Sequence, residues 1–168
     1  KITVERPLQL NFHASSERIE RLKDQKPFTK LDESEQARII AALGTLPDQQ
    51  YDNRPEFMKL ADNALKTAGV KPTTTIRKVI VNALSERDEE AQVCTDKKGH
   101  PEPDTDLRDT ERVPYEEDID DYFEREVMPH VPNAWIDLKK TDKKDGEIGV
   151  VGYEINFNRY FYKYVPPR

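Results

Sequence analysis

The chain has 168 residues, of which 35% are hydrophobic and 36% are charged, and its mean hydropathy is −0.90. This length suits one domain with a small core and a large solvated surface. The formal net charge of −6 excludes a general attraction of the whole surface to nucleic-acid phosphates. A single cysteine, Cys94, excludes an internal disulfide, and no apolar run approaches the roughly 18 residues of a membrane span. We expect a cytoplasmic protein with no membrane partner.

Residues 1–12 alternate in polarity. The even positions are mostly apolar, namely Ile2, Val4, Leu8, Leu10 and Phe12. A period of two predicts a strand with one buried face. Pro7 offers no amide donor, so we expect this strand to lie at the edge of its sheet.

The helical part of the chain spans residues 15–85. Four helix starts are indicated by a capping residue or a proline, at Ser15, Asp32, Asn53 and Pro72. Apolar residues recur at helical spacing after each of these starts, and glycines follow two of the helices. We therefore predict one short helix and three longer helices that pack together.

Residues 88–114 are predicted to form an extended loop or hairpin, because Asp96–Gly99 has the composition of a turn and many Pro and Asp residues follow it. Near the end of the chain, within 147–164, four apolar or aromatic residues share one face of an extended segment, namely Tyr153, Ile155, Phe157 and Phe161. We predict terminal strands there that pair with residues 1–12 and bring the chain ends together.

An acidic amphipathic helix is predicted over residues 115–129. Seven of the eleven residues from Glu116 to Glu126 are acidic. Four apolar or aromatic residues fall on one helical face, namely Ile119, Tyr122, Phe123 and Val127. Pro129 ends the helix, since proline has no amide donor and disfavours helical backbone in the residue before it. These elements together predict an α+β fold, with a small sheet of N- and C-terminal strands packed on a mainly helical body.

Several short motifs resemble one protein family. Between 108 and 137 they are Arg108-Asp-Thr-Glu-Arg-Val-Pro114, Glu117-Asp-Ile119, Tyr122-Phe-Glu-Arg-Glu-Val127, Pro129-His-Val-Pro132 and Ala134-Trp-Ile-Asp137. Elsewhere they are Ile2–Leu8 with Leu10–Phe12, Leu84–Asp88, Gly152–Arg159 and Phe161–Arg168. The chain resembles the region beyond the catalytic core in modification (M) subunits of type I restriction-modification systems, which are adenine-N6 DNA methyltransferases.

The resemblance implies a parent enzyme that uses S-adenosylmethionine and assembles with a specificity subunit that reads DNA. Such enzymes bind the cofactor at a glycine-containing strand-to-helix turn and hold the flipped adenine with an Asn-Pro-Pro-aromatic motif. This sequence has neither: Pro166-Pro167 lies between Val165 and Arg168, and the six glycines are not clustered. We therefore interpret residues 1–168 as a single non-catalytic domain. We expect no catalytic residue and no cofactor or metal in it, and a role in assembly with the specificity subunit and, through the complex, with DNA.

Two metal-dependent alternatives have weak patterns. A zinc site would need four residues whose spacing matches no common ligand pattern, namely His13, Cys94, His100 and His130. Pro103-Asp104 with Asp137-Leu-Lys139 imitates a metal-dependent nuclease motif, but such a pattern arises easily by chance in a chain this charged.

Direct contact with DNA is the stronger alternative. Three helices followed by a hairpin resemble a winged helix, with Pro72–Ser85 as the recognition helix and Lys97 and Lys98 as DNA contacts at the wing tip. Few cations lie on that helix, and this favours a helical bundle packed under a sheet.

Two groups of residues are candidates for a subunit interface. Four charged residues alternate in sign along an extended run, namely Arg108, Asp109, Glu111 and Arg112. They would either contact another subunit or form ion pairs within the fold. Near the end of the chain, Tyr160, Tyr162 and Tyr164 would line an interface or a sheet, since aromatic side chains bury large areas, or would stack on bases.

Overall fold

The structure is a computed structural model that describes residues 1–152. Residues 7–104 form one compact unit, which we call the helical unit. Residues 1–6 and the described residues from 105 onward form a second, which we call the terminal unit. Helices and two small three-stranded antiparallel sheets make up the described chain, so the predicted α+β class is confirmed.

The helices of the described chain are α1 (Ser16–Glu20), α2 (Lys26–Thr29), α3 (Glu33–Leu43), α4 (Arg54–Thr67), α5 (Thr74–Leu84) and α6 (Ile119–Tyr122). A 3-10 turn over Arg21–Asp24 follows α1, and a π-helical turn over Phe123–Val127 follows α6. The strands are β1 (Ile2–Glu5), β2 (Leu10–His13), β3 (Gln50–Tyr51), β4 (Ser85–Arg87), β5 (Asp109–Glu111) and β6 (Trp135–Ile136).

Side-chain caps fix where the main helices begin. Each capping oxygen accepts a hydrogen bond from the amide three residues later, in Ser15, Asp32, Asn53 and Thr73. Such a cap satisfies one of the amides left unpaired in a first helical turn. The starts predicted at Ser15, Asp32 and Asn53 are confirmed, and the fourth cap is Thr73, directly after Pro72.

The helical unit has an aromatic and aliphatic core. The antiparallel sheet β3-β2-β4 places Phe12 opposite Tyr51 on one side and Ser85 on the other. The ring of Phe12 stacks on Phe57 of α4 with centroids 5.2 Å apart, and both side chains are fully buried. Helices α3, α4 and α5 bury one face each in the same cluster. This core is the source of the unit's stability.

The terminal unit is built around β1. Its antiparallel sheet has the order β5-β1-β6, with Ile2 opposite Glu111 and Val4 opposite Ile136. A small cluster of buried side chains accompanies the sheet, namely Ile2, Val4, Phe123, Val127 and Ala134. The predicted apolar face of the acidic helix is therefore confirmed for Phe123 and Val127.

The single strand predicted over residues 1–12 is wrong in its extent. Its predicted edge position is also wrong, because β1 and β2 are each the central strand of a three-stranded sheet. β1 ends at Glu5 and β2 begins at Leu10, and the two strands belong to different sheets. Between them, Pro7 forms an isolated bridge with Pro103, and the amide of Leu8 donates to Glu102 O at 2.8 Å. The interruption has a physical cause, because Pro7 cannot donate to a ladder. Residues 1–12 thus contribute to two small sheets instead of one.

The acidic helix is shorter than the predicted 115–129. The carboxylate of Asp118 accepts the amides of Asp120 and Asp121, so the helix begins at Ile119. The preceding residues form a turn, and helical backbone ends at Val127 before Pro129. A side chain that captures two amides fixes the start more strongly than the acidic run itself.

The remaining extended segments are present in part. Within 88–114, a bridge between Thr95 and Pro101 forms the predicted hairpin, and β5 follows it. Of the predicted strands over 147–164, Ile148 bridges Thr141. Val150 exchanges two backbone hydrogen bonds with Lys1, of 2.8 and 2.9 Å, so this part of the predicted pairing of the chain ends is present. Residues 153–164 lie outside the described chain.

Candidate functional site

An open groove of about 860 Å³ lies on the terminal unit. Its walls are the start of β1, the turn that leads into α6, and residues 145–152. The β1 side is buried, whereas residues 145–151 are exposed apart from Gly149. We call this surface the terminal groove.

Backbone contacts hold the outer wall of the terminal groove against β1. The amide of Gly149 donates to Lys140 O at 2.7 Å, and that of Val150 donates to Lys1 O at 2.8 Å. Gly149 has φ +91°, and a Cβ there would lie 2.8 Å from Lys1 O. Glycine is required at this position, because a larger residue would meet both a strained backbone and a clash.

The rim of the groove exposes several large apolar side chains. Tyr115 is 84% exposed, and Val150 and Val151 are each more than half exposed. Ile148 on the same rim is 40% exposed, while Ile2 on the inner wall is buried. Of the seven large hydrophobic residues exposed in the described chain, these four are gathered on one groove. Contiguous exposed apolar residues are typical of a contact surface for another molecule.

Carboxylates surround this apolar rim. Among residues 1–152, Lys1 is the single cationic residue that lines the groove. Six acidic residues of the same range line it, namely Glu117, Asp118, Asp120, Asp142, Asp145 and Glu147. Some of them hold the fold: Asp142 accepts the amides of Lys144 and Val151 at 2.8 and 3.0 Å. Those two hydrogen bonds lower the pKa of the Asp142 carboxyl. The groove is therefore apolar and anionic, and suits a segment with cationic and apolar side chains.

The charged run that includes Arg108 lies in the same unit. Arg108 forms an ion pair with Glu5, which also accepts Trp135 Nε1 at 3.1 Å. Glu5 is 6% exposed, so a buried carboxylate on β1 receives both groups. For Arg108 the structure thus provides the internal ion pair, which was one of the two alternatives. A role for this residue in a subunit interface stays a prediction.

The other residues of the charged run differ in their surroundings. Glu111 accepts the hydroxyl of Tyr122 at 3.3 Å, and burial together with this carboxylate raises the pKa of Tyr122. Asp109 accepts the amide of Thr110 at 2.6 Å. The side chains of Asp109 and Arg112 are exposed on β5 and directly after it. Both are accessible to a partner, and their interface role also remains a prediction.

Lys97 and Lys98 lie at the tip of the predicted hairpin. Asp96 Oδ1 accepts the amides of Lys98 and His100 at 2.7 and 2.9 Å, and these contacts lower the pKa of the Asp96 carboxyl. Both lysines are exposed. The base of the hairpin is held by Arg54, whose guanidinium donates to both carboxylate oxygens of Glu102 at 2.6 and 2.9 Å. The tip is available to a ligand, and contact with DNA there stays a prediction.

The candidate metal ligands His13 and Asp104 contact other protein side chains, and Cys94 is buried. His13 lies 2.7 Å from Asp48, and Cys94 is buried, which raises the pKa of its thiol. Asp104 accepts two hydrogen bonds from Arg87, at 2.6 and 3.0 Å. No group of three or more His, Cys, Asp or Glu side chains within residues 1–152 could hold a metal ion. The tyrosines Tyr160, Tyr162 and Tyr164 lie outside the described chain.

The terminal groove was not predicted from the sequence. Three of its acidic residues, Glu117, Asp118 and Asp120, were predicted to lie in one long helix, and residues 147–164 were predicted only as strands. A signal was present in Gly146 and Gly149, which both have positive φ, and in the apolar residues that follow them. Two nearby glycines between charged and apolar segments indicate a backbone that turns sharply.

Comparison with protein-family models, with curated proteins and with solved structures finds no match for this chain. Among the described residues, no helix has the length and apolar character needed to span a bilayer.

Proposed function

We propose that the chain is a non-catalytic module of the M subunit of a type I restriction-modification DNA methyltransferase. In this proposal it supports assembly with the specificity subunit and, through the complex, with DNA. The parent adenine-N6 methyltransferase would use S-adenosylmethionine bound outside this chain, and the complex would work in the cytoplasm.

One observation carries the proposal. The motifs behind the resemblance are far apart in the sequence, yet Ile2–Glu5, Asp109–Glu111 and Trp135–Ile136 pair in one small sheet. The motif Tyr122–Val127 contributes Phe123 and Val127 to the cluster beside that sheet. Segments that are far apart in the sequence and pack together are expected to serve one structural purpose. This packing supports a single module, and the resemblance of its motifs is the basis on which we propose the family.

The terminal groove is the surface that we assign to assembly. It combines an exposed aromatic residue, Tyr115, with aliphatic side chains and six carboxylates. Tyrosine is enriched among the residues that dominate binding energy at protein interfaces, and surrounding charges set the partner's orientation. The complementary segment of the specificity subunit would therefore carry Lys or Arg next to apolar residues.

The test is a binding measurement between the 168-residue chain and the specificity subunit of the same system, by biolayer interferometry. The variant Tyr115→Ala with Asp120→Lys removes the aromatic anchor and one carboxylate of the groove. Truncating an interface anchor costs about 1–3 kcal/mol, so we expect the affinity to fall by at least about tenfold.

A matched control changes the same kinds of residue in the helical unit, with Val93→Ala and Glu90→Lys, which are both exposed. This control should bind as the unchanged chain does. The assignment of the groove fails if the two double variants lose affinity equally. The whole proposal fails if the unchanged chain does not bind the specificity subunit, or if it binds S-adenosylmethionine by itself in calorimetry.

A further inference from the structure

Charge is distributed unevenly along this acidic chain. The whole sequence has 27 Lys and Arg residues against 33 Asp and Glu residues. The segment 54–84, which contains α4 and α5, has six Lys or Arg residues and two acidic ones. The acidic surplus of the molecule therefore lies outside these two helices.

Ion pairs account for part of the charge on these helices. Arg54 is paired with Glu102, and Arg77 Nη2 lies 3.1 Å from Asp62 Oδ1. Four lysines remain, each exposed and without an ion-pair partner among residues 1–152, namely Lys59, Lys66, Lys71 and Lys78. The segment has two acidic residues. Asp62 is paired with Arg77, whereas Glu56 forms no ion pair within residues 1–152. The helices thus present a local cationic excess.

Helical geometry places Lys59 and Lys66 near each other. Lys59 lies three residues before Asp62 and Lys66 four residues after it, so both are its neighbours on the surface of α4. Arg77 of α5 forms an ion pair with the same Asp62, which links the two helices at this point. Lys71 lies in the connection between α4 and α5, and Lys78 follows Arg77 on α5. We call the group Lys59, Lys66, Lys71, Arg77 and Lys78 the cationic face.

The exposed side of α5 is suited to contact with a polyanion. This helix contains no acidic residue, and its buried residues are all apolar. Its exposed side chains include Thr74, Thr75 and Asn82 beside Lys78, and these carry hydrogen-bond donors and acceptors. Helices with charges of both signs on the exposed side, such as α3, would instead repel phosphate in part.

We propose that the cationic face binds the phosphate backbone of duplex DNA, with α5 directed toward the major groove. Few cations lie on α5 itself, so most of the phosphate contacts would come from Lys59 and Lys66 of α4 and from Lys71. The major groove of B-form DNA, about 12 Å wide, admits an α-helix, whereas the narrow major groove of A-form RNA does not. The net charge of −6 does not oppose this contact, because charges beyond about 10 Å are largely screened at 0.1 M salt. The proposed site is distinct from the terminal groove and from the hairpin tip with Lys97 and Lys98.

The test is fluorescence anisotropy of a labelled 24-bp DNA duplex titrated with the 168-residue chain over a range of salt concentrations. The variant Lys66→Ala/Lys71→Ala/Lys78→Ala removes three proposed phosphate contacts. The affinity at low salt should fall by at least about tenfold. The negative slope of log K against log salt concentration should decrease in magnitude by about 2 to 3. A labelled RNA duplex of the same length should bind more weakly than the DNA.

Two controls distinguish the contribution of the cationic face to DNA binding from that of net charge and from that of the hairpin lysines. Lys139→Ala/Lys140→Ala/Lys144→Ala changes net charge by the same amount in the terminal unit, and Lys97→Ala/Lys98→Ala removes the hairpin cations. Both should bind DNA within about threefold of the unchanged chain. Equal losses in the two triple variants, a loss only in the hairpin variant, tighter binding of RNA, or no saturable binding at 50 mM salt would each overturn the proposal.

Discussion

The two units of this chain are stabilised in different ways. The helical unit gathers 18 buried side chains in one cluster, whereas the cluster formed by the described residues of the terminal unit has five. The terminal unit relies more on directional contacts, such as the pair between Glu5 and Arg108 and the backbone bonds of Gly149 and Val150. A unit with a large core tolerates surface changes, while one held by specific contacts depends on single residues. Disrupting each kind of contact tests this contrast.

The largest effect is expected in the core of the helical unit. Phe57→Ala removes a fully buried ring that stacks on Phe12. The lost burial and the cavity left behind should lower the free energy of unfolding by about 3–5 kcal/mol. Urea unfolding followed by circular dichroism measures it, with the partly buried Met58→Ala on the same helix as a milder comparison. A loss below about 1 kcal/mol would show that the core is not the dominant source of stability.

In the terminal unit the strongest single contact to remove is the carboxylate of Glu5. Glu5→Gln leaves Arg108 without its charged partner and weakens the acceptor for Trp135 Nε1. Because Arg108 is about one third exposed, screening reduces the cost, and we expect roughly 1–3 kcal/mol.

Trp135 is the chain's single tryptophan, so its fluorescence reports this unit directly. The emission of the Glu5→Gln variant should shift and its unfolding midpoint in urea should fall. The exposed variant Glu124→Gln should change neither. An unchanged Trp135 signal in Glu5→Gln would contradict the role of this carboxylate.

A smaller effect on stability is expected when alanine replaces either of two glycines of the terminal groove, and its size should differ between them. Gly149→Ala meets a positive φ and the backbone of Lys1, whereas at Gly152 nothing lies within 4 Å of an added Cβ. We expect Gly149→Ala to cost about 1–3 kcal/mol and Gly152→Ala less than about 0.5 kcal/mol. Thermal unfolding of both variants provides the comparison. Equal stability of the two would mean that the outer wall of the groove does not depend on the contact between Gly149 and Lys1.

The smallest effect concerns acid sensitivity. Amide hydrogen bonds lower the pKa of Asp142, so the folded chain binds this proton less readily than the unfolded chain. The stabilisation is present above the unfolded pKa of about 4 and is lost as pH falls through the lower folded value. Asp142→Asn should therefore flatten the decline of stability between about pH 5 and pH 3, as measured by urea midpoints at each pH. A decline as steep as in the unchanged chain would contradict this assignment.

Local signals in the sequence predicted local structure well. The caps at Ser15, Asp32 and Asn53 were predictable because a capping side chain bonds an amide three residues away. Long-range pairing was not predictable in the same way. Alternation over residues 1–12 indicates extended backbone but does not specify its partners, and two separate sheets use this segment.

The candidate site was less predictable than the fold, because it also depends on contacts between residues far apart in the sequence. Glu5 breaks the alternation by being buried, and its partner Arg108 is more than 100 residues away. The terminal groove combines residues from the start of β1, the turn before α6, and the region of Gly149. No short motif encodes such a surface, although residues of the acidic run and two of the glycines, Gly146 and Gly149, line the groove.

The proposed function depends most on the terminal groove being the assembly surface. Hydrogen exchange of the 168-residue chain, measured by mass spectrometry with and without the specificity subunit, tests it directly. We predict slower exchange in residues 113–120 and 145–152 when the partner is bound, with little change over residues 33–67. Protection confined to the helical unit, or no protection anywhere at saturating partner, would contradict the account.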